Sequence, residues 1–379
     1  MVEILSKPIK VVDVFAGAGG LSLAARHAGM NVSFAVELDK WAAETYRQNF
    51  CPEGNPDPPT LYEADITTLC PDELRKKHFG EYGRCDILLG GPPCQGFSTH
   101  RIKNAGVNDP RNKLVHRYFD YVRALRPKVF LMENVPGILW ERHQEYLEQF
   151  YKEGADAGYQ LYEPVMLDAR DFGLPQRRKR IFVLGVEESI DRTSFTWPPP
   201  PTHGSEKARK ENPDLLPWVS CQKAFGPVTA DDPNNIHMQH SAELIDVFAR
   251  TPHNGGSRKD SGRTLPCHET HNGHKDVYGR IDPSQPAPTM TTACINPSKG
   301  RFVHPRENHG ITARQAARIQ TFPDDFIFAG GLMAAGKQIG NAVPVELGRS
   351  ILEHLSFLLV ENELVGIGTM ENEPKAKSA

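Results

Sequence analysis

Short apolar runs alternate with longer segments of mixed polarity through the first half of the chain. Val11-Val12-Asp13-Val14-Phe15 and Val32-Ser33-Phe34-Ala35-Val36-Glu37 read as strands. Each is followed by a stretch of helical character, Leu21 to His27 and Lys40 to Phe50. Cys85-Asp86-Ile87-Leu88-Leu89, Lys128 to Glu133, Leu161 to Leu167 and Arg180 to Val186 read as further strands. Strands in alternation with helices predict an α/β architecture, a doubly wound, mixed and mostly parallel sheet.

The pattern breaks at Thr196-Trp197-Pro198-Pro199-Pro200-Pro201, a run expected to be stiff and extended. From there to about Pro305 the chain is rich in His, Gly, Pro and Asn, with weak periodicity and short strand candidates such as Pro288 to Cys294. A smaller, loop-rich domain is expected there. Helical patterning resumes from Thr312 to Gln320. The expected division is 1–190 for the first domain, 191–329 for the second with a hinge at 306–329, a return to the first over 330–365, and a flexible tail over 366–379. The polar residues from Asn362 onward are expected to fray.

A chain of 379 residues can bury a full core, and 39% hydrophobic with 24% charged residues suits a soluble globular protein. A formal net charge of -3 supplies no bulk basic field, so a nucleic acid would have to meet a local basic cleft. The seven cysteines form no close pairs, which points to a reducing compartment. Met1 to Lys10 lacks the apolar core of a signal peptide, and no apolar run is long enough to cross a bilayer. A soluble, intracellular protein is expected.

Gly90-Gly91-Pro92-Pro93-Cys94-Gln95-Gly96-Phe97-Ser98 puts a lone cysteine just past the carboxyl end of a strand. Open α/β sheets place their ligand sites there. The prolines fix the backbone, and the glycines allow another molecule to come close. A thiolate so presented can attack electron-poor carbon, the alternative being an inert structural cysteine. Gly17-Ala18-Gly19-Gly20, between strand and helix, offers free N–H groups to a ligand. Glu37 lies 20 residues after Gly17 at the end of the next strand, where an acid can accept ribose hydroxyls. Asp65 follows a third short strand and can take an adenine amino group. These positions describe an adenosine-type cofactor. The loop Phe15-Ala16-Gly17-Ala18-Gly19-Gly20 lacks the spacing of the dinucleotide fingerprint, which argues against a nicotinamide.

Six blocks then follow one order: Asp13 to Gly20, Pro92 to Ser98, Glu133-Asn134-Val135-Pro136-Gly137, Gln176-Arg177-Arg178-Lys179-Arg180, Arg314 through Phe322-Pro323-Asp324, and Gly340-Asn341-Ala342-Val343-Pro344. In this the chain resembles the DNA (cytosine-5) methyltransferase family, in its compact bacterial restriction–modification form. The resemblance reaches to about Leu347. It implies the S-adenosylmethionine-dependent methyltransferase fold, S-adenosylmethionine as cofactor, duplex DNA as substrate, and a target-recognition domain in the loop-rich region. Cys94 would add to carbon 6 of a flipped-out cytosine, and Glu133 would sit against ring nitrogen 3 and the amino group. Arg178 and Arg180 would face one side together and hold the base carbonyl oxygen, the phosphate and Glu133, while Arg177 and Lys179 face away. The cofactor pocket would use Phe15, Ala18, Gly19, Gly20, Glu37, Leu38, Asp65, Ile66, Pro93, Asn341 and Val343. Pro323 and Asp324 would brace the recognition domain.

The loop from Gln95 to Leu114 is expected to close over DNA, with contacts from Gln95, Ser98, Arg101 and, in the recognition region, Arg258. No metal is expected: Cys267, His268, His271 and His274 lack the second cysteine pair that would complete a zinc site. A monomer is expected, because one recognition domain and one active site suffice. Its location would be the bacterial cytoplasm, or the nucleus of a eukaryote. A cognate endonuclease would act on the same DNA site without direct contact. Two alternatives stay open. One is a tRNA cytosine methyltransferase of the same fold, whose nucleophile block reads Pro-Pro-Cys-Gln-Pro-Phe-Thr where this chain has Gly96 and Ser98. The other is a catalytically inactive DNA-binding relative, which would be expected to lose the Cys94 block.

Overall fold

The structure is a computed structural model that describes residues 8–92, 113–262 and 276–371. Its centre is a mixed sheet of eight strands. Five are parallel: β1 (Lys10–Val14), β2 (Asn31–Glu37), β3 (Thr60–Glu63), β4 (Ile87–Gly90) and β5 (Val129–Asn134). β6 (Tyr159–Leu161) and β7 (Val165–Asp168) run antiparallel to β8 (Lys179–Glu187), which runs antiparallel to β5. The order is β3-β2-β1-β4-β5-β8-β6, with β7 also on β8. The chain winds outward from β1 to β3, then crosses back to β4 and β5 on the other side. The carboxyl ends of β1 and β4 therefore flank a switch point, where a crevice for ligands opens.

The central strands are apolar throughout because both faces are covered. Alternate residues feed two cores: Ile87 and Leu89 enter one, and Leu88 enters the other. The first core is closed by α1 (Gly20–His27) and the long α10 (Val345–Glu371). There a Cβ on Gly348 would lie 2.8 Å from the Ala24 Cβ, so the glycine lets the two helices touch. The second core is closed by α3 (Pro71–Phe79), α4 (Lys113–Leu125) and α5 (Gln144–Asp156). α2 (Lys40–Phe50) starts where the Asp39 carboxylate accepts from Trp41 N at 3.0 Å and Ala42 N at 3.2 Å.

The region after β8 has little regular structure. Its pieces are two paired two-residue strands, β9 (His203–Gly204) and β10 (Leu216–Pro217), and two short helices, α6 (Glu206–Glu211) and α7 (Ala242–Arg250). Buried arginines hold it together. Arg280 donates to Thr251 O, His304 O, Glu307 O, Phe248 O and Asn308 Oδ1, all at 2.6–3.0 Å. Arg314 opens α8 (Ala313–Ile319) and reaches the Asp232 carboxylate, Pro323 O and Phe326 O. Arg318 joins Asp324 to Gly226 O and Pro227 O, so Pro323 and Asp324 do brace this region. Loops without a ladder must still satisfy their carbonyls, and a guanidinium supplies five donors from one side chain. The chain then returns to the sheet through α9 (Gly331–Asn341) and α10.

Three expectations are corrected. The strand expected over Leu161 to Leu167 is two strands, β6 and β7, whose pairing with β8 slips by one residue between Leu161 and Val165. Pro164 lies in the gap and has no N–H to give to the ladder. Pro288 to Cys294 is not a strand, because side chains occupy its backbone: Met290 N donates to Gln176 Oε1, and Met290 O accepts from Arg178. Helix α10 runs on to Glu371, past Asn362 and 366, where fraying and a tail were expected to begin.

Candidate active site

The crevice is lined by the loops that leave β1, β2, β3, β4 and β5. After β1 the backbone turns left-handed at Phe15 (φ 59°), Gly17 (φ 58°) and Gly19 (φ 93°). Glycine is required at 19, where a Cβ would run into the Phe50 ring, and at 20, where it would stand 2.6 Å from Val343 O. The first and last blocks of the sequence are thus in contact: the turn after α9, carrying exposed Asn341 and buried Val343, rests on Gly20. Around Gly17 the space is open, with nothing within 4 Å of an added Cβ.

Glu37 ends β2 and closes the loop from the other side. Its carboxylate accepts from Gly17 N at 2.7 Å, Leu38 N at 2.9 Å and Asp39 N at 2.7 Å. Burial pushes its pKa up against the pull of those N–H groups. An ionised carboxyl has about four acceptor sites, so capacity remains for a hydroxyl. Next to it Leu38 presents an apolar side chain that is 65% exposed. Across the crevice the turn after β3 carries exposed Asp65 and buried Ile66. The Asp65 carboxyl is held below its usual range by the Thr67 backbone and hydroxyl donors.

One group of this crevice escaped the sequence reading. Asp13 is buried beneath the glycine loop, where it accepts from Ser22 Oγ at 2.6 Å, and Ser22 Oγ accepts from the Tyr46 hydroxyl at 2.9 Å. Burial pushes the Asp13 carboxyl up to about 7. The signal was an acid in the middle of an otherwise apolar strand.

The second half of the site forms at the end of β5. Glu133 Oε1 pairs with Arg180 Nε at 2.9 Å, and each side chain is only 12% exposed. Burial raises the Glu133 pKa, opposed by Arg180 and then Arg178. The loop leaving β4 runs directly against this pair: a Cβ on Gly91 would lie 3.3 Å from Glu133 Oε2. Asn134 accepts from Val135 N at 2.7 Å and points its Nδ2 at Pro92 O, 3.5 Å away.

Arg178 requires a correction. It was expected to share the hold on base and phosphate with Arg180. Instead it is fully buried, and its terminal nitrogens donate to Met290 O at 2.6 Å and to Gly340 O and Ala342 O at 2.8 Å. It joins the β8 entry, the 290 segment and the turn that carries Asn341 and Val343. Arg258 is corrected as well: expected to meet DNA, it is 2% exposed within the 3-10 turn Arg258–Ser261. The glycines before it serve structure, since Gly255 O and Gly256 O accept from Arg301. Pro93, Cys94, Gln95, Ser98 and Arg101 lie outside the described residues, as do Cys267, His268, His271 and His274. Among the described residues no group of three or more His, Cys, Asp or Glu side chains is placed to hold a metal.

The arrangement pairs a cleft for a nucleoside-bearing ligand with a buried carboxyl–guanidinium couple suited to a polar heteroaromatic ring. Comparison with known proteins gives the family. The family model described as C-5 cytosine-specific DNA methylase matches residues 9–356, which includes all six blocks. Type II methyltransferase M1.HphI of Haemophilus parahaemolyticus is 32% identical over 343 residues, covering 90% of this chain and 85% of that protein. Type II methyltransferase M.NgoFVII of Neisseria gonorrhoeae is 33% identical over 353 residues, covering 92% of this chain and 87% of that protein. Among solved structures, a prophage-encoded Escherichia coli protein assigned as a DNA modification methyltransferase superposes with a TM-score of 0.65 at 28% identity, covering 93% of this chain and 99% of that one.

Proposed function

From the premise that this chain belongs to the C-5 cytosine-specific DNA methylase family, we propose that it methylates carbon 5 of a cytosine within a specific sequence of duplex DNA, through a covalent bond from Cys94. It is a DNA cytosine-5 methyltransferase of the type II restriction–modification kind.

The crevice at the switch point fits S-adenosylmethionine. Phe15, Leu38 and Ile66 would flank the adenine, Asp65 would accept its amino group, and Glu37 would take a ribose hydroxyl. Ala18, Gly19, Gly20, Asn341 and Val343 would enclose the amino-acid end, with Pro93 completing the wall. The open space at Gly17 and the spare acceptor capacity of Glu37 support that fit. The cofactor's sulfonium supplies the methyl group.

The protein's task is to make carbon 5 nucleophilic. A cytosine stacked in a duplex shields the reacting atoms, so the nucleotide has to be turned out into the pocket. The Cys94 thiolate forms a bond to carbon 6, and the displaced electron pair makes carbon 5 the attacking centre. Glu133, with its pKa raised by burial, holds a proton toward ring nitrogen 3 as charge builds on the ring. Arg180 fixes the Glu133 carboxyl and offers its remaining donors to the carbonyl oxygen at carbon 2. Once carbon 5 has taken the methyl group, a water molecule takes the carbon 5 proton, and the electrons of that bond restore the ring double bond as the carbon 6–sulfur bond breaks and releases the thiolate.

The observation that carries this reading is the Glu133–Arg180 pair packed against Gly91, because Cys94 follows Gly91 by three residues, a span of at most about 11 Å for any backbone. The loop-rich region would read the sequence, with lysines and arginines on phosphates giving salt-dependent affinity. A monomer in the cytoplasm suffices, and a cognate endonuclease would share the site without touching the enzyme. No helix among the described residues is long and apolar enough to cross a membrane.

Bisulfite sequencing of DNA from expressing cells identifies the target. A duplex carrying 5-fluorocytosine at that target, with the cofactor, should then trap a covalent complex with the parent protein and none with Cys94→Ala. An equal yield from the two proteins would overturn the mechanism, and labelling of tRNA in preference to DNA would overturn the substrate.

A further inference from the structure

The turn after β3 that carries Asp65 and Ile66 has no ladder of its own. Asp65 Oδ1 accepts from Thr67 N at 2.9 Å and Thr67 Oγ1 at 2.7 Å, and Asp65 O accepts from Thr68 N at 2.9 Å. These bonds fold the turn; its start is tied to β2, where Ala64 N donates to Glu37 O at 3.0 Å, and the Ile66 side chain is buried. The hold on its carbonyls comes from α4, whose Tyr121 hydroxyl also points at Ile66 O, 3.5 Å away. Arg117 donates Nε to Ile66 O at 3.0 Å and Nη2 to Leu69 O. Its Nη1 is held at 2.9 Å by Asp120, and the guanidinium lies 5.4 Å from the centroid of the Tyr121 ring. The fork is therefore oriented by its own helix before it meets the turn. A planar guanidinium can serve both carbonyls at once, whereas an ammonium is a single point.

We propose that Arg117 is the positioning residue for the adenine end of the cofactor pocket: by bracing the Ile66 and Leu69 carbonyls it keeps the Asp65 carboxylate where it accepts the exocyclic amino group. The inference rests on the S-adenosylmethionine reading above. Arg117 acts through the turn and touches neither cofactor nor DNA. Loosening the turn therefore weakens selectivity for the amino group, while the ribose contact of Glu37 is kept, because its carboxylate is held by the Gly17, Leu38 and Asp39 N–H groups and not by the turn.

The test is calorimetric binding to the full chain without DNA. The ligands are S-adenosylhomocysteine, S-inosylhomocysteine, which carries a carbonyl in place of the amino group, and the 2′-deoxy form of the first. The parent protein should prefer the adenosyl over the inosyl ligand by roughly 10- to 100-fold, the range for one bond to a charged acceptor. Arg117→Met should bind S-adenosylhomocysteine roughly 10-fold more weakly and lose most of that preference, as follows from freeing one such bond. Arg117→Lys should fall between the two. The preference for ribose over 2′-deoxyribose should stay at the parent value in both variants. Retained adenosyl preference in Arg117→Met, or equal loss of both preferences, would overturn the inference. A parent protein that binds S-adenosylhomocysteine without adenosyl preference would overturn it as well. No binding by the parent protein would overturn the cofactor reading and this inference with it, a result visible before any variant is made.

Discussion

Arg178→Met separates a catalytic from an architectural role for the most deeply buried arginine of the site. Arg178 holds three carbonyls, Met290 O, Gly340 O and Ala342 O. When it is removed, Ala342 O keeps a donor in Gln320 Nε2 at 3.1 Å. Met290 O and Gly340 O lose the guanidinium. A buried acceptor left unmet costs about 1–3 kcal/mol, so two cost about 2–6 kcal/mol. Relief of a buried cation, whose pKa burial drives well below normal, returns part of that. The net expectation is about 3 kcal/mol lost from the unfolding free energy, or about 5 °C in melting temperature for a chain of this size. Gly340 and Ala342 bracket Asn341 and adjoin Val343, so cofactor KM should rise. With DNA and cofactor saturating, kcat should stay within about 10-fold of the parent, because no bond to a reacting atom is lost. Urea unfolding and steady-state methylation below the transition read both quantities. Unfolding free energy changed by less than about 0.5 kcal/mol, together with a kcat about 1000-fold lower, would refute the reasoning and return Arg178 to the base.

Two further outcomes are expected. The Asp13 carboxyl is raised from 3.8 to about 7 in the folded protein, so the folded state binds the proton more tightly and the group's stability contribution is lost as pH rises from about 4 through 7. That loss is about 4 kcal/mol by linkage, and Asp13→Asn should remove most of it; urea midpoints of the two proteins that fall in parallel with pH would exclude the effect. Gly91→Ala puts a methyl 3.3 Å from Glu133 Oε2, so the carboxylate must yield by a few tenths of an ångström. A kcat lower by roughly 10-fold is expected with less than about 1 kcal/mol change in stability; an unchanged kcat would show that Glu133 has room to spare.

Local pattern located the first elements of the fold closely. α2 is observed as Lys40–Phe50, as expected, because the Asp39 cap and the apolar stripe both act within a few residues. β1, β2 and β5 likewise stand within a residue or two of expectation, since a covered strand is apolar along its whole length. The Leu161 to Leu167 run was legible as strand but not as a slipped pair, because the slip depends on Pro164 facing a ladder edge. The loop-rich region was legible only as loops. Its order comes from contacts such as Arg178 to Met290 and to Gly340, 112 and 162 residues apart, which no periodicity records. The same distance governs the two arginines at the site. A period of two puts Arg178 and Arg180 on one face, yet only the distant carbonyls determine which of them is spent on architecture. Glu37 could be placed because its spacing from Gly17 is set by one strand–helix–strand unit.

Apart from Asn308, Asp232 and Asp324, the arginines that hold the region after β8 grip main-chain oxygens, an atom that every amino acid possesses. The course of those loops is therefore largely indifferent to the side chains mounted on them. Outward-facing positions there can be exchanged while the framework stands, without redrawing the path beneath them.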